Sequence, residues 1–398
     1  MTPVRFDRSE LPPLRVGSRL ERLRAALAGV DASGTEGTGL DGAGTDGAGL
    51  DGLLLTDLVS IRWLTGFTGS NAMVLVTAEA VLFATDGRYG EQAGEQLAAH
   101  GLDATIEVFT RRADQQRLVS AAAGGLGGLG LEADAVAWAE QRSFSSEWFP
   151  EATLVPTTGL LAQLRRLKDD AEVARIEAAA RIADAALEDV LSLLADSPTE
   201  REFATELERG MVERGADGPS FPTICASGPN SARPHAEPGD RTVGSGDLVV
   251  LDFGALVHGY HSDMTRTLVV GEPSSDQLRL LEAATVAQAR GAAAVRPGAT
   301  AHDVDRACRD ALAERGLEDL LVHGTGHGVG LEIHEVPILR PGAEEVLSVG
   351  EVVTVEPGVY LPGTGGARVE DTVVVTPDGA RPLTCYAKDA AVAEPTIP

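Results

Sequence analysis

The sequence predicts an α+β chain of two domains, and three observations carry that expectation. Up to about residue 160, short apolar strands alternate with helical segments, the pattern of an α/β domain. Beyond it, the order helix, helix, hairpin occurs twice. The two hairpins also align: Gly246-Asp247-Leu248-Val249-Val250-Leu251-Asp252 matches Gly350-Glu351-Val352-Val353-Thr354-Val355-Glu356. Each is a glycine, an acid, four apolar or β-branched residues and then a carboxylate. Such a duplication predicts pseudo-two-fold halves whose carboxylates meet at a shared centre. The expected division is residues 1–160 and 161–398.

In order along the chain, residues 31–52, DASGTEGTGLDGAGTDGAGLDG, form a low-complexity tract expected to loop out between a first helix and a first strand. Its glycine-aspartate rhythm holds too few copies for a stacked calcium-binding coil. LLLTDLVSIRWLTGF and AMVLVTAEAVLFATDG read as strands broken by turn residues, GRYGEQAGEQLAAHG as a helix. A strand near Val108 and a helix near Gln115 follow. Asp86, Arg88 and Tyr89 read as a turn and helix start.

From Lys168 to Ala195 the apolar residues Val173, Ile176, Ala180, Ala183, Leu187, Leu191 and Leu194 recur at helical spacing. Thr199-Glu200-Arg201-Glu202 is a capping box opening a second helix that ends near Gly215. A hairpin follows from Gly246 to Val270. The plan then repeats, with helices from about Ser274 and from Thr300 and a hairpin from Gly350 to Val375.

Sixty acidic side chains against 33 basic ones give a net charge of -27, which repels phosphate backbones and anionic membranes. Nucleic acid and membrane are therefore not expected partners. No apolar run of about 18 residues occurs, and no secretory signal is evident, so a cytoplasmic location is expected. Three cysteines without CxxC spacing argue against a disulfide framework or a zinc ribbon.

The chemistry concentrates in the hairpins. Asp252 and Asp263 fall across a turn near 257–259 and can share one face, and Glu356 and Glu370 repeat the relation in the second hairpin. Four inward acids in an apolar sheet repel unless cations sit between them. With one imidazole they make an oxygen-rich donor set suited to Mn²⁺, Co²⁺ or Zn²⁺. Residues 323–335, HGTGHGVGLEIHE, offer three histidines for that place. Their glycines read as close backbone approach rather than a dinucleotide loop, because Val329 stands where such a loop needs glycine.

Five stretches carry a resemblance: LTGFTGSNAMVLVTAEAVLFATDGRY, FPTICASGPNSARPHAEPGDR, LDFGALVHGYHSDMTRT, HGTGHGVGLEIHE and VVTVEPGVYLPGTGGARVEDT. From about Leu53 onward the chain resembles the two-domain Xaa-Pro peptidases, the aminopeptidase P and prolidase group of the pita-bread metallopeptidases. The resemblance implies a creatinase-like N-terminal α/β domain followed by a pita-bread catalytic domain. It implies two divalent ions, manganese first among them, held by Asp252, Asp263, His327, Glu356 and Glu370, with Asp263 and Glu370 bridging. It also implies hydrolysis by a hydroxide shared between the ions. Glu356 would shuttle the proton and His334 would polarise the carbonyl. His235, His323 and His334 would contact substrate, and Arg368 would back the site. The substrates implied are proline-containing peptides and the assembly a homodimer.

The expected activity is that of an Xaa-Pro aminopeptidase, the alternatives being an Xaa-Pro dipeptidase and a non-catalytic or creatinase-type member of the fold. Prolidase-like relatives often carry an arginine just after His-Glu-x-Pro, and here Ile338 follows Pro337. A cysteine hydrolase built on Cys225 and His235 lacks a third orienting group, and no GxSxG exists for serine catalysis. His100 and His302 read as helix-end residues, His258 as a turn residue and His261 as a neighbour of the aspartates.

Overall fold

The structure, a computed structural model, describes residues 5–14, 16–29, 50–388 and 391–392. The tract expected to loop out lies almost wholly outside the described residues. The described chain divides into two compact units, Pro13–Arg165 and a second that starts again at Arg166 and also takes the segment up to Pro12. That segment is tied there by Phe6, whose amide donates to the Arg214 carbonyl at 2.8 Å, and by Arg8, 2.6 Å from Asp217.

In the first unit α1 (Val16–Gly29) precedes β1 (Gly52–Leu55), α2 (Leu58–Thr65), β2 (Ala72–Thr77), β3 (Val81–Asp86), α3 (Gly90–Ala99), β4 (Thr105–Phe109) and α4 (Arg112–Ala122). Then come β5 (Gly128–Glu132), α5 (Trp138–Ser143), β6 (Thr153–Thr157) and α6 (Leu160–Arg166). The six strands form one mixed sheet in the order β4-β3-β2-β1-β5-β6. One expectation fails here: residues 58–65, read as strand, are helical. The Asp57 carboxylate accepts from the Ser60 amide and Gly66 closes the helix at φ 74°, so two caps decide what an unbroken apolar run left open. The strands β5 and β6, glycine-rich or proline-bearing, had no clear signature.

The second unit repeats one plan. α7 (Asp170–Val190), capped by Asp169 and Glu172, and α8 (Glu200–Glu213), capped by Thr199 and Glu202, lead into β7 (Gly218–Pro219) and β8 (Ile224–Ser227). The long helix expected to reach Ala195 tightens to a 3₁₀ turn at Leu191. The first hairpin follows as β9 (Leu248–Phe253), β10 (Ala255–Val257), β11 (Tyr260–His261) and β12 (Met264–Val270). The second half has α9 (Ser275–Ala294), α10 (Ala301–Ala313), β13 (Gly326–Gly328), β14 (Glu335–Leu339), β15 (Val352–Val355), β16 (Gly358–Leu361), β17 (Gly365–Arg368), β18 (Asp371–Thr376) and β19 (Gly379–Pro382). A short β20 (Ala391–Val392) adds to β12. Each half has its own apolar core, led by Ile182, Leu187, Phe203 and Phe253 in one and by Leu280, Leu312, Leu339 and Val355 in the other. Among the described residues no helix is long and apolar enough to cross a membrane.

Neither hairpin is the continuous pair of strands that the sequence pattern implied. In each, the base stays in the main sheet (β9 with β12, β15 with β18) and the tip leaves it for a separate small sheet (β10 with β11, β16 with β17). The two halves therefore share a break, and the acids lie at it.

Candidate metal centre

Asp252 is the next-to-last residue of β9 and Asp263 immediately precedes β12, while Glu356 directly follows β15 and Glu370 directly precedes β18. Asp252 pairs in register with Thr265, so Asp263 lies diagonal to it, two residues away and on the same face. The β15/β18 register, carried one step beyond Val355 and Asp371, sets Glu356 opposite Glu370. The halves are joined across this seam. The Glu370 amide donates to the Thr265 carbonyl at 3.1 Å, the Thr372 hydroxyl to the Asp263 carbonyl at 2.8 Å, and the Arg368 amide to the Thr267 hydroxyl at 3.0 Å.

His327 enters from β13. Its Nδ1 lies 2.9 Å from the Gly328 carbonyl, which can only accept, so Nδ1 holds the proton and Nε2 the lone pair. Nε2 faces Asp263 Oδ2 and Glu356 Oε1, each at 3.6 Å. Burial pushes the His327 pKa down to about 4, so the ring is neutral at neutral pH and neither contact is an ion pair. A lone pair aimed at two ionised carboxylates is repulsive until a proton or a cation stands between them. Asp263, His327 and Glu370, all buried, each present a ligand atom within 4.8 Å of the others. A Cβ on Gly326 would sit 2.1 Å from the Thr354 carbonyl oxygen, and one on Gly328 would sit 2.5 Å from that of Val336, so only glycine lets this strand close in.

The electrostatics fit a cation. Asp252 Oδ1 and Glu370 Oε1 are buried without a hydrogen-bond partner. Their other oxygens are engaged: Asp252 Oδ2 accepts from Arg368 Nη2 at 2.6 Å and Glu370 Oε2 from Thr265 Oγ1 at 2.7 Å. Desolvation and the neighbouring acids raise the pKa of Asp263 and Glu370, and burial followed by Asp252 pushes Glu356 up to about 8 against the pull of Arg368. Buried carboxylate oxygens left without donors or cations are costly, which is the physical case for metal ligation here. The counter-charge in direct contact is Arg368, itself buried, held charged by Tyr360, Asp252 and Glu356 in spite of its desolvation.

The remaining expected residues surround this centre. The His334 ring packs edge-on against His327, centroids 4.4 Å apart, and stays exposed. His323 places Nδ1 2.6 Å from the Gly324 carbonyl and so accepts at Nε2 from the Tyr360 hydroxyl, 2.9 Å away. The Tyr360 oxygen accepts from Arg368 Nη1 at 2.7 Å. Burial first, with the charge of Arg368 among the further causes, lowers the His323 pKa to about 4, and Arg368 Nη1 also donates at 3.1 Å to the carbonyl of Pro234, the residue before His235. His235 itself is exposed. From α10, buried Asp305 accepts from the Thr325 hydroxyl at 3.2 Å and from Arg309, which also donates to the His323 carbonyl at 2.8 Å, fixing the start of the histidine loop. Tyr360 and Thr265 were missed by sequence reasoning. The alternation 263, 265, 267 along β12 was the signal for Thr265, and Tyr360 had none. Cys225 is fully buried and its thiol is raised further by burial and by Glu200, so it is no nucleophile.

Residues 174–377, a span that contains all five expected ligands, match the model of metallopeptidase family M24. The chain belongs to that family. Residues 44–167 match the creatinase/prolidase N-terminal domain, so the creatinase-like domain and pita-bread catalytic domain expected from sequence are the fold of this M24 peptidase. It is 39% identical over 351 residues to an uncharacterized peptidase of Bacillus subtilis, covering 85% of this chain and 95% of that one. Among solved structures it is similar to an Xaa-Pro dipeptidase from Bacillus anthracis (TM-score 0.84, 37% identity, 95% of this chain and 99% of that one). It is also similar to an X-Pro aminopeptidase from Thermotoga maritima (TM-score 0.80, 31% identity, 86% and 97%).

Proposed function

We propose that this M24 chain hydrolyses the bond between an N-terminal residue and proline, with Asp252, Asp263, His327, Glu356 and Glu370 holding two divalent ions. The observation that carries the proposal is the buried set of acids, in which Asp252 Oδ1 and Glu370 Oε1 are without donors while Asp263 and Glu356 face a neutral imidazole lone pair. Four ionised carboxylates against one guanidinium leave three negative charges, more than a single divalent cation offsets. Oxygen donors with a single nitrogen suit Mn²⁺, with Co²⁺ or Zn²⁺ as substitutes. Bound ions would supply an acidified water and a Lewis acid for the scissile carbonyl.

The chain's own residues then divide the work. The Glu356 side chain keeps 19% exposure against 5% for Asp263, so it can take and return a proton on the substrate side. His334, steadied by His327 but exposed, donates to the developing oxyanion. His235 and His323 line the pocket for the proline side. Arg368 holds Asp252 and, through Tyr360, the His323 ring.

Both solved relatives named above act on an Xaa-Pro unit by name and differ in the peptide they take. The missing arginine after Pro337 favours the aminopeptidase, whereas the similarity to the Bacillus anthracis dipeptidase along nearly its whole length favours the dipeptidase. Rates with added Mn²⁺ on an Xaa-Pro dipeptide and on the same sequence lengthened by three residues decide between them. We expect the longer peptide to be preferred. Turnover of the dipeptide alone makes the enzyme a prolidase, and no turnover of either removes the proposal. A cytoplasmic homodimer with two metal ions per chain is the expected form, checked by light scattering and metal analysis.

A further inference from the structure

We infer that Glu200 is a positioning residue for substrate binding: its buried carboxylate closes and fixes the loop that carries His235. The inference rests on the reading of His235 as a pocket residue. Glu200 is the first residue of α8 and is fully buried. Capping of that helix does not need it, because Thr199 and Glu202 satisfy each other's amides at 2.8 and 3.2 Å.

The Glu200 side chain reaches instead to both ends of the loop. Oε1 accepts from the Ser227 amide and the Ser227 hydroxyl, each at 2.7 Å, and from Asn230 Nδ2 at 3.0 Å. Oε2 accepts from Asn230 Nδ2 at 3.2 Å and from the Gly239 amide at 3.1 Å. Ser227 is where the loop leaves β8 and Gly239 is where it returns, so one carboxylate ties entry to exit. His235 lies between. The opposite side of the loop rests on the second hairpin: Arg368 Nη1 donates to the Pro234 carbonyl at 3.1 Å and the Gly366 amide to Ser231 Oγ at 2.9 Å. With its base on Glu200 and its tip on Arg368, the loop has one place to put the residue after Pro234.

All of the groups that meet the carboxylate are donors. An amide in its place keeps the shape but turns an NH₂ toward N–H groups, so Glu200→Gln loosens the loop with little change of volume. No metal ligand is within the set, which separates the effect from metal binding.

Hydrogen exchange followed by mass spectrometry on the full chain loaded with Mn²⁺ tests the inference. Glu200→Gln is expected to speed exchange in residues 227–240 about tenfold or more and to leave 323–335 unchanged. KM for an Xaa-Pro peptide is expected to rise about tenfold with kcat within about twofold and the metal content unaltered. In a His235→Ala background, Glu200→Gln is expected to add nothing further to KM, the signature of one residue acting through the other. Unchanged exchange in 227–240, or additive KM effects, overturns the inference. A KM unaffected by His235→Ala alone, with the loop loosened by Glu200→Gln, overturns it through its premise, the pocket assignment of His235. Should Glu200→Gln not fold, Asn230→Ala removes a single half-exposed donor and is expected to shift exchange and KM in the same direction; no shift in either overturns the inference.

Discussion

Glu370→Gln lowers Mn²⁺-dependent peptidase activity by about a thousandfold or more and weakens metal binding with it. The Thr265 hydroxyl accepts from Arg368 Nε at 3.0 Å, so its own proton is directed at Glu370 Oε2. A glutamine keeps that bond only by placing its carbonyl oxygen there, which turns its NH₂ toward the side where Glu370 Oε1 now lies without a donor. A donor then points at the place of the cation. Titration calorimetry with Mn²⁺, beside kcat/KM, checks the prediction, and full activity in the variant would remove Glu370 from the proposed ligand set.

The same cluster makes the metal-free protein respond to pH in the direction opposite to the loaded one. Asp263, Glu356 and Glu370 have raised pKa values in the folded chain, mainly through burial. Above the ordinary carboxylate range of about 4 the unfolded chain has released protons that the folded chain still holds. More protons on the folded side means that stability falls as pH rises, from that range up through about 8, where Glu356 ionises. Metal competes with those protons, so the loaded protein gains over the same window. Thermal midpoints in chelator at pH 5 and pH 8 should therefore fall with pH, and those in Mn²⁺ should rise. A chelated sample that becomes more stable toward pH 8 contradicts the assignment.

Lys168→Met destabilises the catalytic unit by about 3 to 5 kcal/mol, the scale for removing one partner of a buried ion pair. Lys168 Nζ is 2.9 Å from Glu335 Oε2 and both side chains are only 2% exposed. Glu335 Oε1 meanwhile accepts from the amides of Leu331 and Glu332 at 3.1 and 3.3 Å, so the carboxylate also shapes the turn that presents His334. Without the ammonium a buried carboxylate loses its Lys168 partner. Restoring neutrality with Glu335→Gln in the same chain should recover most of the loss, as read by urea unfolding of both variants. Because His334 is the next residue, kcat should drop along with stability in the single variant.

The sequence by itself determined the capped helices of the catalytic unit and the candidate ingredients of the centre. Capping boxes at Thr199, Ser274 and Thr300 start helices where they were read, since a cap is settled within four residues. The repeated glycine-acid-strand-acid pattern picked out Asp252 and Glu356, because a carboxylate inside an apolar run is anomalous wherever the strand goes, and the place across each hairpin turn added Asp263 and Glu370. Only the tertiary structure decided how these parts meet. That the hairpin tips peel away, that Thr265 holds Glu370 across 105 residues, that Tyr360 joins His323 to Arg368, and that Lys168 finds Glu335 across 167 residues all depend on which faces the two halves turn toward each other. Periodicity and caps report forces within one element, whereas pairing across the seam is set by burial and charge summed over both halves, and no local stretch encodes that sum.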